Sequence, residues 1–138
     1  MTATAIRVGV DVISVNEISQ SLERFGERYV RRVFTPLEAE YCRAGVGRAA
    51  AERFAVRFAA KEATLKALRP ETPSGDWRSI EVLRHASGWC EVVLHGEAAA
   101  LAAREGMETL ALSMSHHADH ATAVVVAQVA PHASHQER

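Results

Sequence analysis

The 138-residue chain has little of what marks several specialised classes of protein. Its two cysteines, Cys42 and Cys90, lack the CxxC spacing of redox and zinc sites, so both thiols are expected to serve only in packing. Since no secretory leader is recognisable at the N-terminus, we expect a reducing, cytoplasmic setting. No apolar run has the length that a bilayer crossing requires, so no membrane association is expected.

An excess of charge of one sign is also missing. The 16 basic and 17 acidic residues give a formal net charge of -1, which creates no global field for nucleic acid or an anionic membrane. Any anion site must therefore be local. The sequence contains no P-loop, no GxGxxG after a strand and no GxSxG elbow, so the familiar nucleotide-binding and acyl-transfer frameworks are not supported.

What is present indicates one α+β domain. The length suits a single hydrophobic core. Hydrophobic residues make up 48% of the chain and aromatic residues 6%, which with the abundant alanine favours helices packed on a modest sheet. We predict a compact domain over residues 1–130 and a disordered C-terminal tail over residues 131–138.

The N-terminal half carries clear start and stop signals. Residues 6–12 are predicted as a buried strand, and the Ser14 and Glu17 pair has the spacing of a capping box that opens a helix. A second helix is expected after Thr35-Pro36, with Gly45 as its stop. The longest helix is predicted over residues 48–68, because its apolar residues have helical spacing and a proline follows.

In the C-terminal half, the period of the hydrophobic pattern changes from that of helices to that of strands. We predict strands at residues 79–84 and 89–94, a helix at 96–105, and a hairpin of strands 109–115 and 121–129 around a polar loop at 116–120.

Asp11 and Glu62 are the candidate functional acids. Asp11 lies in a predicted buried strand, where an unpaired carboxylate is costly, so it either caps or pairs with a neighbour or serves a site. Glu62 has an ordinary interpretation as the i,i+4 partner of Lys66 on a solvated helix face. The alternative is that Glu62, among Arg57, Lys61 and Lys66, binds a divalent metal beside a polyphosphate. Lys61 favours this alternative because it falls at the edge of the apolar stripe of its helix.

The predicted loop at 116–120 contains three histidines and an aspartate, His116, His117, Asp119 and His120. These residue types could hold zinc, but a crowded hairpin loop without a cysteine ligand rarely forms a closed tetrahedral site. A histidine that contacts an anion or transfers a proton is the favoured interpretation.

Four segments in this order resemble one family, the bacterial holo-acyl-carrier-protein synthases, which are 4'-phosphopantetheinyl transferases. The resemblance covers residues 6–129, and its most specific motif is the central one. The segments are Val8-Gly9-Val10-Asp11-Val12, Phe34-Thr35-Pro36-Leu37-Glu38, Arg57-Phe58-Ala59-Ala60-Lys61-Glu62-Ala63 followed by Lys66-Ala67, and Ser113-Met114-Ser115-His116.

The resemblance implies an enzyme that moves the 4'-phosphopantetheine group of coenzyme A to a serine of an apo acyl or peptidyl carrier protein, with release of 3',5'-ADP. It implies a homotrimer with active sites shared between subunits. Asp11 and Glu62 are expected to bind Mg²⁺, which also contacts the pyrophosphate. Glu62, or a water on the metal, is expected to accept the serine proton.

The same resemblance assigns the cations. Lys66 joins Asp11 and Glu62 as a catalytic residue, and both Lys61 and Lys66 are expected to follow the leaving group. Arg57 and His116 are expected to contact coenzyme A, with His116 contributed by a neighbouring subunit.

Some positions depart from the family pattern. Glu17 replaces a basic residue that usually faces the acidic carrier, and His117 follows the histidine where an acid is common. Residues 68–73 replace a glycine-rich turn, and Gly88-Trp89-Cys90 replaces Gly-Lys-Pro. The choice among fatty-acid, polyketide and peptide carriers therefore stays open. So does the alternative of a non-catalytic relative that only binds a carrier or coenzyme A.

Overall fold

The structure is a computed structural model that describes residues 4–72 and 75–131. It confirms the α+β class. The elements in chain order are β1 (Ala5–Ser14), α1 (Val15–Phe25), α2 (Glu27–Val33), α3 (Pro36–Arg43), α4 (Arg48–Leu68), a 3-10 turn (Trp77–Ser79), β2 (Ile80–Arg84), β3 (Cys90–Leu94), α5 (Gly96–Arg104), β4 (Met107–His117) and β5 (His120–Val129).

The strands form two antiparallel sheets. The larger has the order β1-β5-β4, and β2 pairs with β3 in a separate two-stranded sheet. In the larger sheet Asp11 lies opposite Ala123, which in turn lies opposite Met114. Alternate residues of β5 such as Ala123 and Val125 are wholly buried, so one face of this sheet forms the core.

Helix α4 lies across the buried face of the larger sheet. Four of its alanines are wholly buried against the sheet, Ala59, Ala60, Ala63 and Ala67. Strand β1 comes so close that a Cβ on Gly9 would lie 1.9 Å from the carbonyl oxygen of Ala63. Only glycine fits there, and this contact brings the side chain of Asp11 toward α4.

The predicted helix signals are confirmed, with small differences. The Ser14 hydroxyl accepts the Glu17 N–H at 3.2 Å, and Thr35 forms a complete capping box with Glu38. Helix α3 ends at Arg43, two residues before the predicted stop at Gly45. The sequence analysis missed the seven-residue helix α2, because it follows α1 after only Gly26.

The C-terminal hairpin is tighter than predicted. His116 and His117 belong to β4, and His120 begins β5, so the turn consists of Ala118 and Asp119 alone. The prediction of a five-residue polar loop was wrong, because ladder pairing extends to His117 and His120. Asp119 instead accepts hydrogen bonds from the Ser14 hydroxyl at 2.7 Å and from the Asn16 N–H at 2.8 Å.

The outer face of the larger sheet is apolar and exposed. It includes side chains of β1 and β5 that are 37–59% exposed, namely Ile6, Val8, Val10, Val12, Val124 and Val126. We call this set the outer valine face. Exposed apolar patches of this kind mark interaction surfaces.

Two predictions concern the rest of the chain. Of the predicted tail at 131–138, residues 132–138 lie outside the described residues. Across residues 4–72 and 75–131, no helix has the combination of length and apolar character that spanning a membrane would require.

Candidate functional site

Strand β1 and helix α4 bring together three of the predicted residues, Asp11, Glu62 and Lys66. The Lys66 ammonium lies 3.3 Å from Asp11 Oδ1 and donates to the Val10 carbonyl oxygen at 2.8 Å. Asp11 is 13% exposed at its side chain, and Lys66 is 54% exposed. We call these three residues the carboxylate site.

The carboxylate site concentrates negative charge that its lysine only partly balances. Burial, followed by the nearby charge of Asp11, raises the pKa of Glu62, while Lys66 acts in the opposite direction. Asp11 Oδ2 is buried and has no hydrogen-bond partner among the described residues. A free carboxylate oxygen beside a second carboxylate fits a hard divalent cation.

The protein supplies only part of such a cation's shell. Within the described residues, no group of three or more His, Cys, Asp or Glu side chains converges on one point. An ion at the carboxylate site would therefore take further oxygens from water and from a ligand such as a phosphate, which is how Mg²⁺ commonly binds.

A second polar region lies on another side of α4. It is a cavity of about 370 Å³ lined by residues that include Tyr41, Arg53, Arg57, Arg84 and His116. Three guanidinium carbons lie over the Tyr41 ring, at 4.3 Å for Arg53, 4.5 Å for Arg57 and 5.3 Å for Arg84. We call this region the anion cavity.

Two arginines of the anion cavity donate to backbone carbonyl oxygens, and Arg57 is only 3% exposed. Arg53 donates to the Tyr41 carbonyl oxygen at 2.9 Å, and Arg57 donates to the Arg53 carbonyl oxygen at 3.2 Å. In the part of the chain that the structure describes, none of the three forms an ion pair with a carboxylate. Such a cluster suits a phosphate group.

Sequence reasoning found Arg57 and His116 but missed Arg53 and Arg84. Arg53 carries a signal that could have been used, since it lies four residues before Arg57 and therefore on the same helix face. Arg84 ends β2 and reaches the cavity only through tertiary packing, which no local pattern indicates.

The two regions lie at opposite edges of the larger sheet. Asp11 belongs to the edge strand β1 and His116 to the edge strand β4, with β5 between them. None of the three residues of the carboxylate site lines the anion cavity. A single chain thus presents two separate halves of a candidate site, the carboxylate site at one sheet edge and the anion cavity at the other.

Lys61 does not reach either half. Its side chain is wholly buried, and its ammonium lies 2.8 Å from Glu38 Oε1 and also donates to the carbonyl oxygens of Trp77 and Ile80. Burial lowers the pKa of Lys61, and the charge of Glu38 opposes that shift. The structure does not support the expected contact between Lys61 and the leaving group, because the Lys61 ammonium is enclosed in the core.

The histidines of the hairpin do not form a zinc site in the described structure. His116 and His117 are adjacent in β4, so their side chains point to opposite faces of the sheet. His116 Nδ1 lies 3.3 Å from Glu52 Oε2 of α4, and Asp119 caps α1.

Comparison with known proteins identifies the family of the chain. A family model described as the 4'-phosphopantetheinyl transferase superfamily matches residues 7–125. The chain is 42% identical over 119 residues to a holo-[acyl-carrier-protein] synthase of Koribacter versatilis, covering 86% of this chain and 94% of the relative. It is 44% identical over 120 residues to that of Desulforudis audaxviator, covering 87% and 90%.

A solved structure shows the same fold. The Chronobacterium ammoniagenes ACPS-CoA complex superposes with a TM-score of 0.79 at 35% identity and covers 91% of this chain and 98% of the other. With the family model matching most of its length, the chain belongs to the 4'-phosphopantetheinyl transferase superfamily.

Proposed function

We propose that the protein is a holo-acyl-carrier-protein synthase, which transfers 4'-phosphopantetheine from coenzyme A to a serine of an apo acyl or peptidyl carrier protein. The observation that carries this proposal is the carboxylate site, in which β1 and α4 bring together Asp11, Glu62 and Lys66. The relatives named holo-[acyl-carrier-protein] synthase, matched over most of their length, support the same reaction.

The reaction forms one P–O bond and breaks another. The serine hydroxyl oxygen attacks the β-phosphorus of coenzyme A, the bond from that phosphorus to the bridging oxygen breaks, and 3',5'-ADP leaves. Glu62 is the candidate base for the serine proton, and the exposed Lys66 ammonium neutralises charge on the leaving phosphate.

Asp11 and Glu62 would hold Mg²⁺. The fit rests on the unpartnered Oδ2 of Asp11 and on the second carboxylate beside it. When bound, Mg²⁺ supplies charge neutralisation on the pyrophosphate and fixes its orientation. Asp11 would help to hold the ion and, through its 3.3 Å contact with the Lys66 ammonium, would keep that cation near the reacting phosphates.

The anion cavity would bind the nucleotide part of coenzyme A through Arg57 and His116, with Arg53 and Arg84 as additional cations. The complex named for coenzyme A among the similar structures supports this ligand. Because the two halves lie at opposite sheet edges, we propose that a complete site joins the carboxylate site of one subunit to the anion cavity of its neighbour.

The outer valine face would hold the subunits together as a homotrimer. An apolar face of this extent is costly in water, and additional copies of the chain would cover it. Val10 and Val12 flank Asp11 in β1 but point to the opposite face of the sheet, so subunits packed on this face would leave the Asp11 side chain directed toward α4. The free thiols of Cys42 and Cys90 support a cytoplasmic location.

Isotopic labelling separates this enzyme from a non-catalytic relative. The protein is incubated with Mg²⁺, an apo carrier protein and coenzyme A labelled either in the pantetheine arm or in the adenine. An enzyme incorporates only the pantetheine label into the carrier in an acid-stable bond. A binding protein leaves both labels in the small-molecule fraction, and that result would overturn the proposed function.

A further inference from the structure

Glu52 lies in the wall of the anion cavity, where a carboxylate opposes the binding of an anion. Its Oε2 is 3.3 Å from Nδ1 of His116 and 3.9 Å from Nε of Arg48. Arg48 is engaged elsewhere, because it also donates to Asn16 at 3.0 Å and to Asp119 at 3.2 Å. The imidazole of His116 is therefore the principal partner of Glu52.

We propose that Glu52 is a positioning residue for His116. Its carboxylate lies 3.3 Å from Nδ1, where it can pair with the protonated imidazole, so that the N–H of Nε2 is left to donate to a phosphate oxygen of coenzyme A in the anion cavity. This inference rests on the proposed function and deepens it, because it names the group that prepares His116 for an anionic ligand.

Apart from Glu52, the charged side chains that line the cavity beside His116 are positive. Arg53 and Arg57 face the cavity from α4 and Arg84 faces it from β2, and each guanidinium disfavours a further positive charge. The other titratable groups in the wall are Tyr41 of α3 and Cys90 of β3. Glu52 is the one carboxylate among the residues that line the described cavity, so it alone offsets this repulsion there.

The test measures coenzyme A binding by calorimetry near pH 6 and near pH 8 for the wild type, Glu52→Gln, His116→Ala and the double variant. Glu52→Gln keeps an oxygen acceptor but loses the charge. We expect it to weaken binding by about tenfold near pH 8 and by less near pH 6, since histidines in general gain their proton as the pH falls through about 6.5. Glu52→Asp should recover part of the loss.

The double variant distinguishes positioning from a structural role. If Glu52 acts through His116, Glu52→Gln adds little to the loss caused by His116→Ala. The matched control is Glu108→Gln, an exposed carboxylate at the far end of β4, which should bind coenzyme A as the wild type does.

Three results would overturn the inference. The first is unchanged coenzyme A binding in Glu52→Gln. The second is a loss of coenzyme A affinity that is equal near pH 6 and near pH 8. The third is that Glu52→Gln lowers this affinity as much in the His116→Ala protein as in the wild type. If the wild type binds coenzyme A and modifies a carrier while one of these results holds, only the role of Glu52 fails. Absence of coenzyme A binding by the wild type would overturn both the inference and the proposed function.

Discussion

Asp11 and Glu62 are the residues on which the proposed chemistry depends most. Asp11→Asn and Glu62→Gln keep the size of each side chain but remove one of two charged ligands from an incomplete metal shell. We expect each change to abolish transfer at saturating Mg²⁺ while the circular dichroism spectrum stays that of the wild type. The doubly substituted protein should be no less active than either single variant, because the two residues act as a unit. Near-normal turnover by either variant would contradict the assignment.

The chain's two lysines, Lys61 and Lys66, have opposite expected roles. Lys61→Met leaves the Glu38 carboxylate buried without its cation and should lower the free energy of unfolding by about 3–5 kcal/mol. Coenzyme A affinity of the folded fraction should be unchanged. Lys66→Met is the matched control, because loss of this exposed partner of Asp11 should change stability by about 1 kcal/mol or less but reduce transfer.

Denaturant titration with calorimetry of coenzyme A binding checks both lysine variants. A stable Lys61→Met protein with weakened coenzyme A binding would return Lys61 to the nucleotide site.

The residue types of the carboxylate site could be predicted from the sequence, because they form part of a motif. The role of Lys61 could not be predicted from the sequence. Its position on the apolar stripe does not reveal that Glu38 and two carbonyl oxygens enclose its ammonium.

At the scale of elements, the close approach of β1 and α4 sets the distance between the two acids. Gly9→Ala places a Cβ within 1.9 Å of a backbone oxygen, so β1 must move away from α4. We expect a loss of about 1–3 kcal/mol in the free energy of unfolding, as for other overpacked cores. We also expect lower transfer activity in the protein that remains folded, because Asp11 moves with β1.

Thermal unfolding and the Mg²⁺ dependence of transfer check the Gly9→Ala prediction. A variant with wild-type stability and wild-type Mg²⁺ dependence would mean that the contact does not position Asp11.

Most elements could be predicted because their signals are local. The bounds of α4 follow from apolar spacing and a following proline, and the start of α3 from Thr35-Pro36. The tight hairpin could not be predicted from the sequence, because ladder pairing decides whether His116 and His120 extend their strands. Asp119 was likewise placed in a polar loop, while its role as a cap for α1 requires the two segments to meet in three dimensions.

At the scale of the whole molecule, the separation of the two halves predicts complementation. Glu62→Ala lacks a working carboxylate site, and His116→Ala lacks a complete anion cavity. If sites form between neighbouring subunits, equal mixing by joint refolding should restore about a quarter of wild-type activity, since random pairing leaves that share of interfaces intact.

Light scattering supplies the control for the mixing experiment. The mixture and the wild type should both have the mass of a trimer. An active wild-type monomer, or no recovered activity after subunit exchange has been verified by differently tagged chains, would contradict a shared site. The sequence could indicate this assembly only through family resemblance, because the exposure of the outer valine face depends on which side of the larger sheet α4 covers.

Transfer of a phosphopantetheine group is the property that separates this chain from a non-catalytic relative. The most direct measurement is intact-protein mass spectrometry of a panel of apo carrier proteins incubated with the protein, Mg²⁺ and coenzyme A, with release of 3',5'-ADP followed in the same samples. We predict that at least one carrier gains one phosphopantetheine, that an equal amount of 3',5'-ADP appears, and that chelation of Mg²⁺ prevents both changes. Unmodified fatty-acid, polyketide and peptide carriers, in samples where a known transferase modifies each of them, would contradict the claim.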